Sequence, residues 1–190
     1  MINRDRLATL RAQEDARFLA LHPKSGEMFK EGQKNMPGGV PMSWMAKWPG
    51  AYPVFVKEAK GARFSDVDGN TYIDFCLGDT GSMTGHSPDA TVAAIREQVG
   101  KGITAMLPTQ DAAIVSAELA KRFGLPLWQF TVSATDANRH VIRYSRMITG
   151  RSKIVVIDRC YHGSVDETFA TLDSLGNTVA REGNIGAPVA

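Results

Sequence analysis

Cysteine is scarce in this sequence, since Cys76 and Cys160 are the two representatives among 190 residues. Two cysteines placed so far apart form neither a metal-ligand spacing nor a disulfide framework, so we expect inert thiols in a reduced, cytoplasmic setting. Long apolar runs are also missing, and none approaches the ~20 residues that cross a bilayer. The first residues mix acids with bases, unlike a signal or transit peptide.

Charge of one sign is not concentrated anywhere along the chain. The formal net charge is +2, and no run of five like charges occurs. The electrostatic pattern of a nucleic-acid binder or of an anionic-membrane binder is therefore absent, and we expect neither partner. The remaining composition, 43% hydrophobic and 22% charged, is typical of a globular domain with a buried core.

Helix and hairpin signals organise the first 125 residues. Apolar spacing predicts a helix over residues 4–21. Asp68-Gly69 stands between two β-prone runs and predicts a hairpin with a type I′ turn, which requires positive φ at both central residues. Two further helices are indicated, one capped by Ser87 with Pro at the next position, and one running from the cap Thr109 to the C-cap Gly124.

From residue 127 onward the pattern becomes strand, helix, strand. The apolar runs "LWQFTV" (127–132) and "KIVVID" (153–158) predict buried strands, and apolar spacing between them predicts a helix over residues 135–148. Such a unit needs a right-handed crossover in a parallel sheet. The end of the chain is rich in Gly and Pro and offers few further strands, so the sheet is expected to be incomplete.

The segment "SATDAN" lies where the first of these strands hands over to the helix. In open α/β sheets ligands gather at the carboxyl ends of strands, where a helix N-terminus offers free N–H groups. The backbone near Ala134 and the hydroxyls of Ser133 and Thr135 would suit a phosphate. Alternatively, Ser133 or Thr135 is a plain helix cap, and Asp136 merely favours the helix dipole.

The segment "DRCYHG" follows the second strand and is expected on the same rim. Tyr161 could stack on a flat ligand, His162 could hydrogen-bond beside it, and Gly163 would permit close backbone approach. The alternative is an ordinary loop with a half-buried Tyr and a surface His. Two ligand-suited loops after neighbouring strands favour a binding site over two unrelated turns.

Taken together, these motifs resemble the class III (fold type I) pyridoxal-phosphate aminotransferases. The family's usual form is N-S-G-T-E-A-N/T, then a helix with Arg at the places of Arg143 and Arg146, "TGR", an apolar strand and "YHG". Upstream, "MPGG", "DVDGNTYIDF", "GHSP" and "PT" are similar and in the same order, so the resemblance covers about residues 30–165. Within the family, glutamate-1-semialdehyde aminomutases and the amine and β-amino-acid transaminases are the most similar groups.

The resemblance implies an α/β fold with a mixed, mostly parallel sheet and flanking helices, preceded by a small α+β segment. Residues 1–75 would hold the N-terminal helix and the small-domain β segment. Residues 76–190 would form the first part of the large domain that binds pyridoxal 5′-phosphate. That domain would be incomplete.

The resemblance also assigns cofactor-binding roles to seven residues. The phosphate cup is implied to consist of Ser133, Ala134 and Thr135, with Asp136 in a supporting role. Stacking on the pyridine ring is implied for Tyr161, and His162 and Gly163 would lie beside the ring. Asp136 replaces the family's Glu, and Ala134 replaces its Gly. If Gly is needed there for positive φ, Ala costs about 1 kcal/mol of strain, whereas in an ordinary conformation the change is mild.

Substrate contacts are implied for Trp44, Met45, Asp79 and Met83. Met45 falls near the position where the semialdehyde enzymes carry an Arg for the substrate carboxylate. An apolar residue there argues against that anchor and for a substrate whose near end is uncharged or bulky.

The family's Schiff-base Lys, and the Asp that pairs with the pyridine nitrogen, have no counterpart in these 190 residues. Lys153 is no substitute, because it opens a strand at the end opposite the ligand rim. The chemistry requires both groups, so we expect this segment alone to be inactive. The catalytic Lys is expected beyond residue 190, on the same chain or on a remaining C-terminal chain.

The implied function is ping-pong transfer of an amino group from an amine or amino acid to a keto or aldehyde acceptor, in a homodimer. Three alternatives stay open: a same-fold aminomutase, racemase or decarboxylase; a non-catalytic fragment; and a hydrolase that uses Ser133 or Ser145 with His140. We interpret His140 as paired with Asp136 on the helix surface. We expect a solvated His22. We interpret the stripe of Arg139, Arg143 and Arg146 as a solvated or interface face and not as a phosphate site.

Overall fold

The computed structural model describes residues 3–158 and 160–183. They form two compact units, Met1–Ala105 and Met106–Ala190, each with its own antiparallel sheet. The boundary predicted at residues 75 and 76 lies inside the first unit, and it remains a prediction about the domains of the complete protein. No helix among the described residues is both long and apolar enough to cross a membrane.

The first unit begins with two consecutive helices. Helix α1 (Arg4–Leu21) is capped by Asn3, whose side chain accepts a hydrogen bond from Arg6 N, and the prediction for residues 4–21 is confirmed. Helix α2 (Pro23–Gly32) starts with Pro at its first position and was not predicted. Two short 3₁₀ turns follow at Pro37–Gly39 and Ser43–Ala46.

A three-stranded antiparallel sheet comes next. Its strands are β1 (Val56–Lys60), β2 (Arg63–Asp66) and β3 (Thr71–Ile73), in that order across the sheet. The predicted hairpin at Asp68-Gly69 is confirmed, but the type I′ assignment is wrong because Gly69 has a positive φ, at 96°, and Asp68 does not. The Asp66 carboxylate accepts the N–H groups of Asp68 and Asn70 and stabilises a longer turn.

Both helices predicted after the sheet are present, and one of the predicted caps differs. Helix α3 spans Asp89–Val99, and its N-cap is Pro88, not Ser87. The Ser87 hydroxyl instead donates to the carbonyl of Ala59, so tertiary contact removes the expected cap. Helix α4 (Gln110–Phe123), in the second unit, ends as predicted at Gly124 in the left-handed conformation.

The second unit is built around helix α5 (Ala134–Thr149) and a small hairpin of β4 (Ala170–Leu172) and β5 (Thr178–Ala180). The predicted helix is confirmed, whereas the two predicted strands at 127–132 and 153–158 form no ladder. A strand needs a neighbour to bond its N–H and C=O groups, and the described residues supply none, so Val132 and Val155 stay 95% and 96% exposed. All strand pairs among the described residues are antiparallel, and the hairpin β4–β5 was not predicted.

Buried apolar side chains are few. Among the described residues, Val40 and Val165 are the hydrophobic side chains that are fully buried. Polar residues take a comparable share of the interior, because His22, Ser25 and Asp66 are buried as well. The expectation of a solvated His22 is therefore wrong: its Nδ1 donates to the Phe18 carbonyl, and its Nε2 lies 2.7 Å from the Tyr72 hydroxyl.

Candidate cofactor site

The start of helix α5 is organised by Ser133. Its backbone is extended (φ −157°, ψ 161°), and its hydroxyl oxygen accepts a hydrogen bond from Asp136 N at 3.1 Å. Its carbonyl accepts from the Thr131 hydroxyl and from Ala137 N. Among the hydrogen bonds of the described residues, none satisfies the N–H groups of Ala134 and Thr135, as is usual for the first turn at the positive end of a helix.

Ala134 occupies an ordinary helical conformation. It is the first residue of α5, and it is absent from the described residues with positive φ. No left-handed strain therefore arises at the place where the family carries Gly. The milder of the two readings of this replacement applies, and the added methyl group leaves the cap geometry intact.

Gly163 packs directly against the same helix start. It is buried, its φ is +78°, and a Cβ there would lie 2.5 Å from Thr135 Oγ1 and 2.8 Å from Thr135 Cα. Ser164 N also donates to Thr135 Oγ1 at 3.0 Å. Both the conformation and the space require glycine at this position. The loop after the second extended segment is thus joined to the helix N-terminus, as the sequence pattern predicts.

Two further side chains of α5 hold this loop. Asn138 Nδ2 donates to the carbonyl of His162 at 2.9 Å, and Arg139 Nη2 donates to the carbonyl of Ser164 at 3.1 Å. With Thr135, they bind three successive residues of the loop to one face of the helix. The side chain of Tyr161, in contrast, is 74% exposed and remains available for stacking.

The arginine stripe of α5 is not simply solvated. Arg146 donates to the carbonyl of Ser152 at 2.8 Å and pairs with Glu167 at 2.9 Å. The pKa of Glu167 is held below its usual value. A hydrogen bond from the backbone N–H of Glu167 lowers it most, Arg146 also lowers it, and burial acts in the opposite direction. Arg139 and Arg146 thus bind the loops around the helix, which favours the interface alternative over the solvated one for these two residues.

His140 is not arranged for hydrolysis. Its Nδ1 lies 3.2 Å from the backbone carbonyl of Asp136, and its ring meets Tyr144 edge-on. The expected pairing with the Asp136 carboxylate is therefore wrong. The described hydrogen bonds join neither Ser133 nor Ser145 to His140, and the Ser133 hydroxyl is engaged in the helix cap. A Ser–His dyad requires that hydrogen bond.

The predicted substrate residues lie in the first unit, in two segments. Trp44 and Met45 belong to the 3₁₀ turn Ser43–Ala46, where Trp44 is 60% exposed and Met45 is half-buried. Asp79 and Met83 lie on the loop between β3 and α3, and both side chains are exposed. No described hydrogen bond joins the two segments.

The start of α5 and its attached loop have the chemistry of an anion site with an aromatic neighbour. Two backbone N–H groups, two hydroxyls and a helix terminus offer donors and positive potential to a phosphate. Tyr161 offers a flat, exposed ring for stacking. Pyridoxal phosphate, an aromatic ring with a phosphate arm, fits this donor set. Among the described residues, no three His, Cys, Asp or Glu side chains come together in a way that could hold a metal ion.

Comparison with known families matches residues 44–182 to the model described as "Aminotransferase class-III". This chain belongs to the class III aminotransferase family. The match covers most of the chain, including both segments of the candidate site. The resemblance drawn from the sequence motifs is confirmed, and so is the fold type I assignment.

Relatives of this class III chain carry two kinds of name. Glutamate-1-semialdehyde 2,1-aminomutase of Methanocaldococcus jannaschii is 36% identical over 166 residues, which are 87% of this chain and 38% of the relative. The crystal structure of a glutamate-1-semialdehyde aminomutase from Pseudomonas aeruginosa PAO1 is 49% identical, with a TM-score of 0.90 over 97% of this chain and 41% of that one. A structure described as a transaminase with PLP bound is 33% identical, with a TM-score of 0.76 over 85% of this chain and 38% of that one.

The chain therefore spans about two fifths of the length of the relatives it matches. Within this class III segment, sequence reasoning missed three residues of the candidate site: Asn138, Arg139 and Ser164. Ser164 directly follows the "YHG" motif, and the two helix residues lie one turn after Thr135, on the same side of the helix. Helical spacing from Thr135 is the signal that would have placed Asn138 and Arg139 beside it.

Proposed function

We propose that this chain is part of a pyridoxal-phosphate-dependent transaminase, which moves an amino group from an amine or amino acid to a keto or aldehyde acceptor. The observation that carries this proposal is the joining of the Tyr161–Gly163 loop to the start of α5. Ser164 N donates to Thr135 Oγ1 and Gly163 packs against the same residue, so the loop that carries the exposed Tyr161 is attached to the start of the helix.

In this proposal the chain's own residues bind and orient the cofactor. The N–H groups of Ala134 and Thr135 and the hydroxyls of Ser133 and Thr135 hold the phosphate, and Tyr161 stacks on the ring. His162 and Gly163 flank it, and Asp136 supports the helix turn. When bound, pyridoxal phosphate supplies the aldehyde that accepts an amino group and the ring that delocalises electrons during its transfer.

The groups that complete the chemistry lie outside these 190 residues in our proposal. The complete enzyme carries the Lys that bonds the cofactor and the Asp that pairs with the ring nitrogen, so this segment alone is inactive. A cytoplasmic homodimer is part of the same proposal. The low cysteine content supports the compartment, and the family resemblance supports the dimer.

The nature of the substrate follows from Met45. A half-buried methionine cannot pair with a carboxylate, so we propose an uncharged or bulky group at that end of the substrate, with Trp44, Asp79 and Met83 near it. The second candidate function is intramolecular, an aminomutase. It is favoured by the names of the Methanocaldococcus and Pseudomonas relatives.

Cofactor binding tests the proposed site. The apo form of the complete enzyme is titrated with pyridoxal phosphate, and binding is followed by the visible absorbance that borohydride bleaches. Thr135→Val removes a hydroxyl donor and the anchor of Ser164, so we expect about tenfold weaker binding, as for hydrogen bonds to charged groups. Thr149→Val is the matched control, because that hydroxyl bonds the Ser145 carbonyl at the other end of α5.

Equal affinities for these two variants would contradict the site, and a complete enzyme without the visible band would contradict the function. The two candidate reactions separate in a second assay. A transaminase turns over an amine beyond one equivalent per enzyme only when a keto acceptor is added, and it aminates that acceptor in equal amount. An aminomutase isomerises glutamate 1-semialdehyde without any second substrate.

A further inference from the structure

The loop between β3 and α3, residues 75–85, contains an unusual backbone run. Leu77, Gly78, Asp79 and Thr80 have φ values of 56°, 57°, 54° and 70°, which makes four successive residues left-handed. For residues with a Cβ this conformation is sterically unfavourable, most of all for the β-branched Thr80. Such a run persists only where its surroundings hold it, and runs of this kind cluster at functional sites.

Asp74 holds the beginning of this run. Its Oδ1 accepts hydrogen bonds from Cys76 N and Leu77 N, both at 2.9 Å, and its Oδ2 accepts from Gly78 N at 3.2 Å. Three successive N–H groups therefore converge on one carboxylate. Asp74 acts on the left-handed turn as a capping residue acts on the first turn of an ordinary helix.

His86 holds the end of the loop. Its Nε2 donates to Asp74 Oδ2 at 2.6 Å, and its backbone pairs with Gly61 through two hydrogen bonds of 2.8 and 2.9 Å. The side chains of Asp74 and His86 are 9% and 21% exposed, so this neck of the loop is sheltered from solvent. The His86 hydrogen bond is the largest influence lowering the pKa of Asp74, so the carboxylate stays ionised and keeps all its donors near neutral pH.

The loop presents two of the predicted substrate residues. Asp79 lies within the left-handed run, and Met83 follows it with 72% of its surface exposed. Both side chains are therefore displayed from a backbone whose two ends are fixed by one carboxylate. A loop ordered before binding loses less conformational entropy when a substrate arrives.

We propose that Asp74 and His86 are positioning residues for the substrate: they hold residues 77–80 in the left-handed conformation that presents Asp79 and Met83. This inference rests on the proposed function, because it assigns these two side chains to the substrate pocket. The proposal adds Asp74 and His86 as the residues that order the loop of residues 75–85, and it assigns neither of them a contact with the substrate. The expected signature of the pair is in substrate binding more than in turnover.

The first measurement is amide hydrogen exchange, which requires no activity. We expect the amides of Cys76, Leu77 and Gly78 to exchange slowly in the wild-type protein, because each donates to Asp74, and at least about tenfold faster in Asp74→Ala. Asp89→Ala is the matched control, since this exposed carboxylate pairs with Lys60 outside the loop. Unchanged exchange in Asp74→Ala would overturn the proposal.

The second measurement is steady-state kinetics of the complete enzyme. For Asp74→Ala we expect KM for the amine to rise about tenfold with kcat within about twofold, because a disordered loop must be ordered on binding. Asp74→Asn keeps an acceptor for the N–H groups of Cys76 and Leu77, so its KM should lie between those of the wild type and Asp74→Ala. His86→Gln keeps a donor to Asp74 and should also be intermediate.

A strain-relief variant distinguishes positioning from general instability. Thr80→Gly removes the steric penalty of the left-handed conformation at residue 80. In the Asp74→Ala background it should therefore lower the raised KM part of the way towards the wild-type value. Faster exchange with no change in KM would overturn the positioning role. An enzyme without amino-transfer activity would contradict the proposed function instead, and the exchange rates would still decide whether Asp74 holds the loop.

Discussion

Two turns of this protein have nearly the same local structure and different surroundings. The turns Asp66–Asn70 ("DVDGN") and Asp173–Asn177 ("DSLGN") each begin with Asp and end with Gly-Asn. In both, Oδ1 of the first residue accepts the N–H groups of the third and fifth, at 3.0 and 2.8 Å in one turn and 2.9 and 2.8 Å in the other. In both, the Asn side chain donates to the same carboxylate at 3.0 Å.

The first turn is also part of a buried polar cluster. Asp66 is fully buried, accepts a hydrogen bond from the Tyr72 hydroxyl at 2.7 Å, and lies 3.5 Å from His22 Nε2. Asp173 is half-buried, and the hydrogen bonds of its carboxylate stay within its own turn. The same five-residue pattern therefore makes a local turn in both places, and the context decides whether that turn also carries tertiary structure.

The ionisation of the two aspartates reflects the same contrast. Burial alone would raise the pKa of Asp66, but hydrogen bonds from Asn70 and Tyr72, with the nearby His22, outweigh it and leave the pKa lowered. For Asp173, hydrogen bonds from the Asn177 side chain and backbone lower the pKa with little opposition from burial. One carboxylate is stabilised within the protein interior, and the other at its surface.

The largest predicted difference between the turns follows from removing each first residue. Asp66→Ala strips a buried acceptor from the Tyr72 hydroxyl and two backbone N–H groups, so we expect the β2–β3 hairpin to lose about 3 kcal/mol of local stability. Asp173→Ala should loosen the β4–β5 hairpin far less, since water replaces the carboxylate. Amide hydrogen exchange reads both hairpins in one chain, and equal losses would contradict the comparison.

Acid should separate the turns next. Because its folded pKa is lowered, Asp66 contributes stability at pH values above its unfolded pKa of about 3.9, and this contribution is lost as pH falls through the folded value. Asp66→Asn should remove much of the acid sensitivity that the first hairpin shows below the unfolded pKa of about 3.9. NMR titration of the two carboxyl groups provides the check: an Asp66 that protonates above its ordinary pKa would refute this account.

Substitution of the third residue of each turn by Ala should have unequal effects on the free energy of unfolding. We expect a difference of about 1 kcal/mol, the usual contribution of a helix cap. Asp68 accepts hydrogen bonds from Lys24 N and Ser25 N at the start of α2, at 2.7 and 3.0 Å, whereas Leu175 is an exposed residue of the other turn. We expect Asp68→Ala to destabilise α2 and Leu175→Ala to be nearly neutral. Circular dichroism during urea unfolding measures both, and a neutral Asp68→Ala would remove the proposed capping role.

The glycines should show no difference at all. Gly69 and Gly176 have φ values of 96° and 82°, and an added Cβ would meet nothing within 4 Å in either turn. Ala at either place should therefore cost the same, about 1 kcal/mol, from backbone strain alone. Unequal losses in the hydrogen exchange of the two hairpins would show that context acts on the backbone as well as on the carboxylates.

Sequence patterns predicted the features that depend on neighbours in the chain. The bounds of α1 and the Gly124 terminus were predicted, and Ser133 was one of two candidate caps, with Thr135, because caps and helical periodicity are local. The hairpin at Asp68-Gly69 was recognised from its dipeptide. The matching turn near Gly176 was missed, because its signal is the more distant pairing of Asp173 with Gly176-Asn177.

Features that depend on distant residues were not predicted. His22 is buried because residues 66 and 72 come to it across the fold, and nothing near it in the sequence indicates this. The segments 127–132 and 153–158 have strand-like composition, but a ladder requires partners, which composition cannot supply. At the candidate site, the residue types in "SATDAN" and "YHG" were found from the sequence, whereas the Asn138 and Arg139 bonds to the loop required the fold.

The cap that Asp68 provides for α2 bears on the order in which the first unit folds. Asp68 binds Lys24 and Ser25, which lie 44 and 43 positions before it in the chain. The turn that carries Asp68, in contrast, closes over five residues. Short loops close faster than long ones, so we expect the β2–β3 hairpin to form before Asp68 binds the start of α2. If this contact forms late, mutations of Asp68 should accelerate unfolding more than they slow folding.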